Sequence, residues 1–147
     1  MMKYQSRLKQ AIIFFILAFI FYACSAKPSY PEVQAQGEVI KLDIRAFKEA
    51  EPVFYSYMHR GKRIDFFVLA MNGTIQSYFD ACARCYPKKM GYQHIDGKLL
   101  CRACGMRFSL DSLDGIGSCY PIPLKGRVEG ENYIIDKKDI IKGAGYF

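Results

Sequence analysis

Residues 80–124, DACARCYPKKMGYQHIDGKLLCRACGMRFSLDSLDGIGSCYPIPL, contain five of the six cysteines of this chain. Four of them form two Cys-x-x-Cys pairs, Cys82/Cys85 and Cys101/Cys104, with fifteen residues between the pairs. Two cysteines separated by two residues in a tight turn direct both sulfurs at one point, and two such turns facing each other complete a tetrahedron of thiolates. The spacing is therefore typical of a four-cysteine metal site.

The residues around the two pairs favour the turns that such a site needs. Gly105 follows the second pair directly, where a turn that wraps its amides toward a sulfur often requires a positive φ. Asp96-Gly97 is a hairpin signal that would return Cys101 to the side of Cys85. Two structural disulfides are the alternative, because the compartment inferred below permits them.

The amino terminus is typical of an export signal. Three basic residues precede an uninterrupted apolar run at 11–23, and no acidic residue occurs before Glu32. The run is short of the roughly twenty residues of a membrane-spanning helix, and a basic flank before a short apolar core indicates a secretory signal. Phe21-Tyr22-Ala23-Cys24-Ser25 resembles the bacterial lipobox, so residues 1–24 are predicted to be a lipoprotein-type signal with lipidation at Cys24.

An uncleaved single membrane anchor and simple secretion are the alternatives to lipidation. All three place the folded domain outside the cytoplasm. Removing residues 1–24 takes three positive charges from the formal +7 and leaves +4, an ordinary solvated surface that gives no indication of nucleic-acid binding. Residues 25–36 contain two prolines and no apolar periodicity, which predicts a linker, and residues 37–147 are predicted to be the folded domain.

Apolar alternation and turn signals predict a mostly β fold of small antiparallel sheets and hairpins with few short helices. Asn72-Gly73 is the strongest hairpin signal. It connects two of three strands that would form a meander, the last of which leads directly into Cys82. Predicted strands lie at 39–44, 53–58, 64–71, 74–79 and 106–110, with a hairpin over 127–135, a short turn or helical loop at 46–51, a short helical turn at 111–114, and a helix over 136–142.

Cys119 lies in a proline-stiffened loop and admits three interpretations: a spare or exchangeable metal ligand, a core or disulfide cysteine, or a redox-active thiol near the site. Five thiols cannot all pair internally, which argues against a pure disulfide framework. His94, between the two pairs, is either an exposed hairpin residue or a ligand. A basic rim accompanies the cysteines and is either a solvated face or a docking site for an acidic redox partner; it consists of Arg84, Lys88, Lys89, Arg102 and Arg107.

Four motifs of this segment together resemble the FtrD-like family of membrane iron-sulfur proteins. They are Phe79-Asp80-Ala81-Cys82-x-x-Cys85-Tyr86-Pro87, Gly91-Tyr92, Cys101-x-x-Cys104-Gly105-Met106-x-Phe108 and Cys119-x-Pro121-x-Pro123-Leu124. The resemblance runs from about Gly37 to the carboxyl end. It implies that Cys82, Cys85, Cys101 and Cys104 hold a two-knuckle cluster site like that of rubredoxins and zinc ribbons, with Cys119 matching a further family cysteine.

The resemblance also implies a function and partners. The chain would be an extracytoplasmic, membrane-tethered electron carrier, rather than an enzyme, that accepts electrons when ferrous iron is oxidised for uptake. Its partners would be an iron permease, a periplasmic iron-binding protein and a cupredoxin-like ferroxidase. The signal lacks the paired arginines of folded export, so a single iron, zinc or copper ion acquired outside the cytoplasm is the alternative to an iron-sulfur cluster. A structural zinc module is the alternative function, followed by a thiol-disulfide oxidoreductase.

Overall fold

The computed structural model describes residues 27–113 and 118–147. The predicted signal segment and Cys24 lie outside these residues. Within them the chain forms β1 (Glu32–Val33), β2 (Val39–Asp43), β3 (Val53–His59), β4 (Lys62–Met71), β5 (Thr74–Cys82), β6 (Tyr92–Ile95), β7 (Lys98–Cys101), β8 (Arg107–Ser109), β9 (Pro121–Leu124), β10 (Arg127–Glu129), β11 (Asn132–Asp136) and helix α1 (Lys137–Lys142). Short 3-10 turns occupy Ile44–Ala46, Tyr86–Lys88 and Gly143–Tyr146.

A five-stranded sheet in the order β1-β3-β4-β5-β9 forms the centre of the molecule. Its three middle strands are the antiparallel meander that the sequence predicts. The tight turn between β4 and β5 places Asn72 at φ 52° and Gly73 at φ 73°, the left-handed conformation that an Asn-Gly hairpin adopts readily. Strand β1 adds in parallel to β3, and β9 adds antiparallel to β5.

Both faces of the central sheet are covered, because successive side chains of a strand point to opposite faces. On β4, Phe66 and Val68 belong to one hydrophobic core, whereas Phe67 and Leu69 belong to another. The first core lies against the sheet β10-β11-β2 and helix α1, and the second lies against the sheet β6-β7-β8. The fold is therefore mostly β with small sheets and one short α-helix among the described residues, as predicted.

Most local predictions agree with the structure. The hairpin β10-β11 and helix α1 lie where the turn and charge patterns predict them. The strand expected over 106–110 is shorter, at Arg107–Ser109, and ends in a turn closed by a hydrogen bond from the Ser112 amide to the Ser109 carbonyl. The predicted helical turn at 111–114 is not helical over its described residues.

The described part of the predicted linker packs onto the central sheet. The carbonyl of Pro31 accepts a 2.9 Å hydrogen bond from the Ser56 amide, and β1 continues this pairing along β3. The ring of Tyr30 stacks on Phe54 with ring centroids 5.0 Å apart. Residues 27–36 therefore behave as an arm of the folded domain, which differs from the prediction. The sequence does not predict this packing, because the arm is held by isolated side chains and by a short stretch of backbone pairing, and it lacks the regular apolar pattern of a longer strand or helix.

Candidate metal centre

The first cysteine pair forms a tight turn at the end of β5. The Cys85 amide donates a 3.0 Å hydrogen bond to the Cys82 carbonyl, which closes the turn. The backbone amides of Arg84 and Cys85 also donate to the Cys82 sulfur. A 3-10 turn follows at Tyr86–Lys88 and ends at Lys89 in a left-handed conformation (φ 53°). The chain thus wraps its N–H groups around one sulfur before turning away.

The second pair repeats this arrangement at the end of β7. The Gly105 amide donates a 2.8 Å hydrogen bond to the Cys101 carbonyl, and Gly105 has φ 75°, the positive value that the sequence predicts. The amides of Ala103 and Cys104 donate to the Cys101 sulfur, and the amide of Met106 donates to the Cys104 sulfur. Each knuckle therefore presents backbone dipoles that stabilise a thiolate.

A hairpin carries the second knuckle back to the first. Strands β6 and β7 are joined through Asp96 at φ 50° and Gly97 at φ 67°, which confirms the predicted turn. The start of β6 is fixed to β5 because Asp80 Oδ1 accepts a 2.6 Å hydrogen bond from the Tyr92 amide. The β6–β7 ladder in turn pairs Tyr92 with Cys101. The carboxylate next to the first knuckle therefore positions the strand beside the second.

Strand β9 brings the fifth cysteine to the site. The Ala83 amide donates a 2.9 Å hydrogen bond to the Tyr120 carbonyl, and Pro121 pairs with Cys82 in the β5–β9 ladder. Cys119, directly before this contact, is consequently placed beside the first knuckle and is only 3% exposed.

The five thiols meet in one cluster. Two triads have sulfurs within 4.8 Å of one another, Cys82/Cys85/Cys101 and Cys85/Cys104/Cys119, so that Cys85 belongs to both. With metal–sulfur bonds of about 2.3 Å, the edge of a tetrahedral four-thiolate site is about 3.8 Å. The sulfurs of each triad are separated by at most 4.8 Å, which exceeds that edge by no more than about 1 Å, so the residues fit a thiolate-bound metal. All five cysteines are free thiols rather than disulfides in the structure.

Exposure differs across the cluster. Cys82, Cys101 and Cys119 are buried, whereas Cys85 is partly exposed and Cys104 is exposed. The buried thiols are part of the second hydrophobic core, together with Phe67 and Tyr92. A metal held here would be shielded from water on most sides and would approach the surface at Cys104.

The electrostatics of the cluster favour a cation among the sulfurs. Burial and the neighbouring thiols raise the pKa of Cys101 to about 11 and also raise the pKa of Cys85. Burial would raise the pKa of Cys82 as well, but the nearby Tyr92 hydroxyl and the knuckle amides outweigh it and lower that pKa. The Met106 amide lowers the pKa of Cys104. Several thiolates so close together repel one another, and a bound metal ion removes that repulsion.

A buried charge cluster that the sequence does not predict lies directly behind the first knuckle. Lys27 Nζ lies 2.7 Å from Asp80 Oδ2 and 2.9 Å from Asp65 Oδ2, and both aspartates are 1% exposed. Ser56 Oγ and Arg63 Nε also contact Asp65. The available signal was Asp65 itself, an acidic residue inside the apolar run 64–71, because a buried carboxylate requires a partner.

The structure brings together all five cysteines proposed as ligands. It does not bring His94 into the triads: this residue lies on β6 opposite Leu99, and its Nε2 is buried without a hydrogen-bond partner among the described residues. The basic residues of the rim lie on the knuckles and on β8, and Arg102 Nε donates to the Tyr92 carbonyl.

Fold and site together define a small β protein whose sheets present a cluster of thiols suited to a metal. A comparison with protein families identifies the family. Residues 47–147 match the FtrD-like family, described as membrane iron-sulfur containing proteins, and the chain belongs to it. No curated protein matches the chain. Within residues 27–113 and 118–147, none of the helices has the length and apolar character to cross a bilayer.

Proposed function

We propose that this chain is an electron carrier: an extracytoplasmic, membrane-tethered iron-sulfur or thiolate-iron protein that relays electrons in a ferrous-iron oxidation and uptake system. The observation that carries the proposal is the convergence of the five thiols on one largely buried site that reaches the surface at Cys104. Membership of a family named for its iron-sulfur proteins supports iron as the metal.

The ligand set supports electron transfer more than catalysis. Four thiolates fill the coordination of a tetrahedral ion and leave no open position for a substrate. Such a centre supplies a one-electron couple, whose potential depends on burial and on hydrogen bonds to the sulfurs. This chain provides both, through the burial of three of the thiols and through the knuckle amides.

Cys82, Cys85, Cys101 and Cys104 are the proposed ligands, and Cys119 is proposed as an exchangeable one. Cys119 and Cys104 both lie within 4.8 Å of Cys85. Either sulfur would therefore be within reach of a metal held at Cys85, and we propose that the two can exchange in the last position. The family description favours an iron-sulfur cluster, while the short sulfur separations and a signal without paired arginines favour a single iron ion as the alternative.

The proposed location is the outer face of the cytoplasmic membrane, with the chain held by a lipid at Cys24 or by its apolar segment. The family description names a membrane protein, which supports the tether. An iron permease, a periplasmic iron-binding protein and a cupredoxin-like ferroxidase are the proposed partners, as the family resemblance implies.

A structural zinc site is the second candidate function. Cys82, Cys101 and Cys119 are packed into the core formed with the sheet β6-β7-β8, so a metal here would hold that sheet on the domain. A disulfide oxidoreductase is less well supported, because the α-helix of the described residues, Lys137–Lys142, does not begin at a cysteine, and Cys85 is followed by a three-residue 3-10 turn rather than an α-helix.

Elemental analysis and absorption spectroscopy of protein purified anaerobically from its native membrane would separate the candidates. The electron carrier contains iron and shows a visible thiolate-to-iron band that dithionite bleaches reversibly. Stoichiometric zinc in a colourless protein would instead support the structural module.

A further inference from the structure

From Lys27 onward, the net positive charge of the chain comes from the metal-binding part. We define the metal module as residues 82–109, which contain both knuckles and the sheet β6-β7-β8. The module has six basic residues and one acidic residue, a formal charge of +5, whereas the rest of the chain from Lys27 onward has twelve basic and thirteen acidic residues. The basic residues of the module are Arg84, Lys88, Lys89, Lys98, Arg102 and Arg107.

This charge is available at the surface. Arg84, Lys88, Lys89 and Arg107 are exposed, and none of them forms an ion pair with another described residue. Four thiolates around an iron(III) ion would contribute only −1, so the loaded module keeps most of its positive charge. A face of this kind attracts an anionic surface.

The first described residue is fixed at the base of the same module. Lys27 is bound to Asp80, which also touches Gly91 and accepts the Tyr92 amide. The side chain of Lys27 is only 12% exposed, and its Nζ lies 5.1 Å from the centre of the Phe147 ring. The preceding 26 residues therefore join the domain beside the metal module and not at the far sheet β10-β11-β2.

The short distance to the proposed anchor limits how the domain can sit. Lys27 lies three positions after Cys24, and a fully extended chain covers at most about 3.6 Å per residue, so the anchor lies within about 11 Å of Lys27. That reach is close to the Debye length of about 8–10 Å at physiological salt. The tether thus holds the basic metal module within the distance over which the charge of the lipid headgroups acts on it.

We propose that the metal module lies on the anionic lipid surface of the membrane, with Arg84, Lys88 and Lys89 among the residues that contact the headgroups. The inference rests on the membrane tether of the proposed function. It specifies the orientation of the domain: the metal centre is turned toward the bilayer, where a membrane-embedded redox partner would exchange electrons with it.

Hydrogen exchange of the full chain in lipid nanodiscs tests the orientation. In discs containing phosphatidylglycerol, the amides of residues 82–109 should exchange at least about tenfold more slowly than in phosphatidylcholine discs. The protection should vanish in 1 M salt, where the Debye length is about 3 Å. Each basic residue near an anionic surface strengthens binding about fivefold, so Lys88→Glu/Lys89→Glu should abolish the difference between the discs.

Lys41→Glu/Lys48→Glu is the matched control, because it changes the net charge equally and places the change outside the module. This variant should keep the lipid-dependent protection. Equal exchange in both lipids would overturn the proposal, as would an equal loss of the lipid-dependent protection in both double variants. Either result would favour an acidic protein partner for the basic residues of the module. Iron content and the visible spectrum of the same discs report on the proposed electron carrier separately, since the orientation can fail while the metal remains bound.

Discussion

Lys27→Met removes the cation that lies between two buried carboxylates. Asp65 and Asp80 lie on adjacent strands, one rung beyond the Phe66–Phe79 pair of the β4–β5 ladder, and point to the same face. Like charges directly opposite each other on a sheet repel. Lys27 offsets that repulsion at 2.9 and 2.7 Å. Without it, Arg63 is left as the basic residue in contact with Asp65, and Asp80 has no basic partner among the described residues.

The expected loss is a large part of the stability of the domain. Removing one partner of a buried ion pair costs about 3–5 kcal/mol. The retained contact of Arg63 with Asp65 places the expected loss for Lys27→Met near the lower end, about 3 kcal/mol. A domain of this size has a total free energy of unfolding of about 5–15 kcal/mol, so the variant should still fold but unfold at a clearly lower urea concentration.

The loss should also depend on pH. Burial raises the pKa of Asp80, and Lys27 opposes that rise. The pKa of this carboxyl in the folded wild type already lies above its unfolded value, and loss of Lys27 raises it further. The variant therefore gains more stability than the wild type as pH falls and the group takes up a proton. The stability difference from wild type should therefore be smaller at pH 5 than at pH 7.

Urea unfolding followed by tyrosine fluorescence and far-UV circular dichroism measures these differences, with the metal content matched between variants. Lys48→Met is the control, because Lys48 forms only an exposed 3.8 Å pair with Glu51 and its loss should cost less than 1 kcal/mol. Lys27→Met/Asp80→Asn should recover most of the stability, since the amide oxygen can still accept the Tyr92 N–H. A loss below 1 kcal/mol for Lys27→Met, or no recovery in the double variant, would refute this account of the buried cluster.

Three further predictions concern the thiols. Cys104→Ser and Cys119→Ser should each keep most of the bound metal, because the remaining sulfur can take the vacant position, whereas the double variant should lose the metal. Elemental analysis measures this. Loss of the metal in both single variants would show that the two sulfurs do not exchange. The pKa values of Cys85 and Cys101 are raised, so both thiols must release a proton when the metal binds. Metal affinity should therefore fall at least about 100-fold for each unit of pH below 7. Equal affinities at pH 6 and pH 7 in competition titrations would contradict this. Tyr92→Phe removes a buried hydroxyl whose proximity lowers the pKa of Cys82. If this hydroxyl hydrogen-bonds the sulfur of the metal-loaded site, the variant should have a reduction potential lower by about 20–60 mV, the equivalent of about 0.5–1.5 kcal/mol, and an unchanged potential in voltammetry would exclude the hydroxyl as a tuning group.

Short-range signals account for what the sequence could predict. The two Cys-x-x-Cys turns, Asn72-Gly73 and Asp96-Gly97 are determined by residues within a few positions of one another, and the structure forms each of these turns. Strand β4 was predictable for a related reason, because an apolar run between turn signals favours a buried strand. These signals identified the meander and the four proposed ligands.

Long-range pairing accounts for what the sequence could not predict. The sequence leaves the position of Cys119 open between the metal site and the core, and the structure places it at the site because β9 pairs with β5, in a ladder that joins Ser77 to Leu124. Lys27 reaches Asp80 across more than fifty positions, and no local pattern specifies either partner. A lysine in a proline-containing segment is typical of a linker, and only the three-dimensional arrangement of the carboxylates shows that it belongs to the core.

The most direct measurement is the iron content of the natively purified protein, compared with that of the Cys82→Ser/Cys101→Ser variant. Both sulfurs are buried in the same triad, so the wild type should contain iron with a visible band that dithionite bleaches, and the variant should contain none. A wild-type protein without iron, or a variant that retains it, would contradict the thiolate-iron centre.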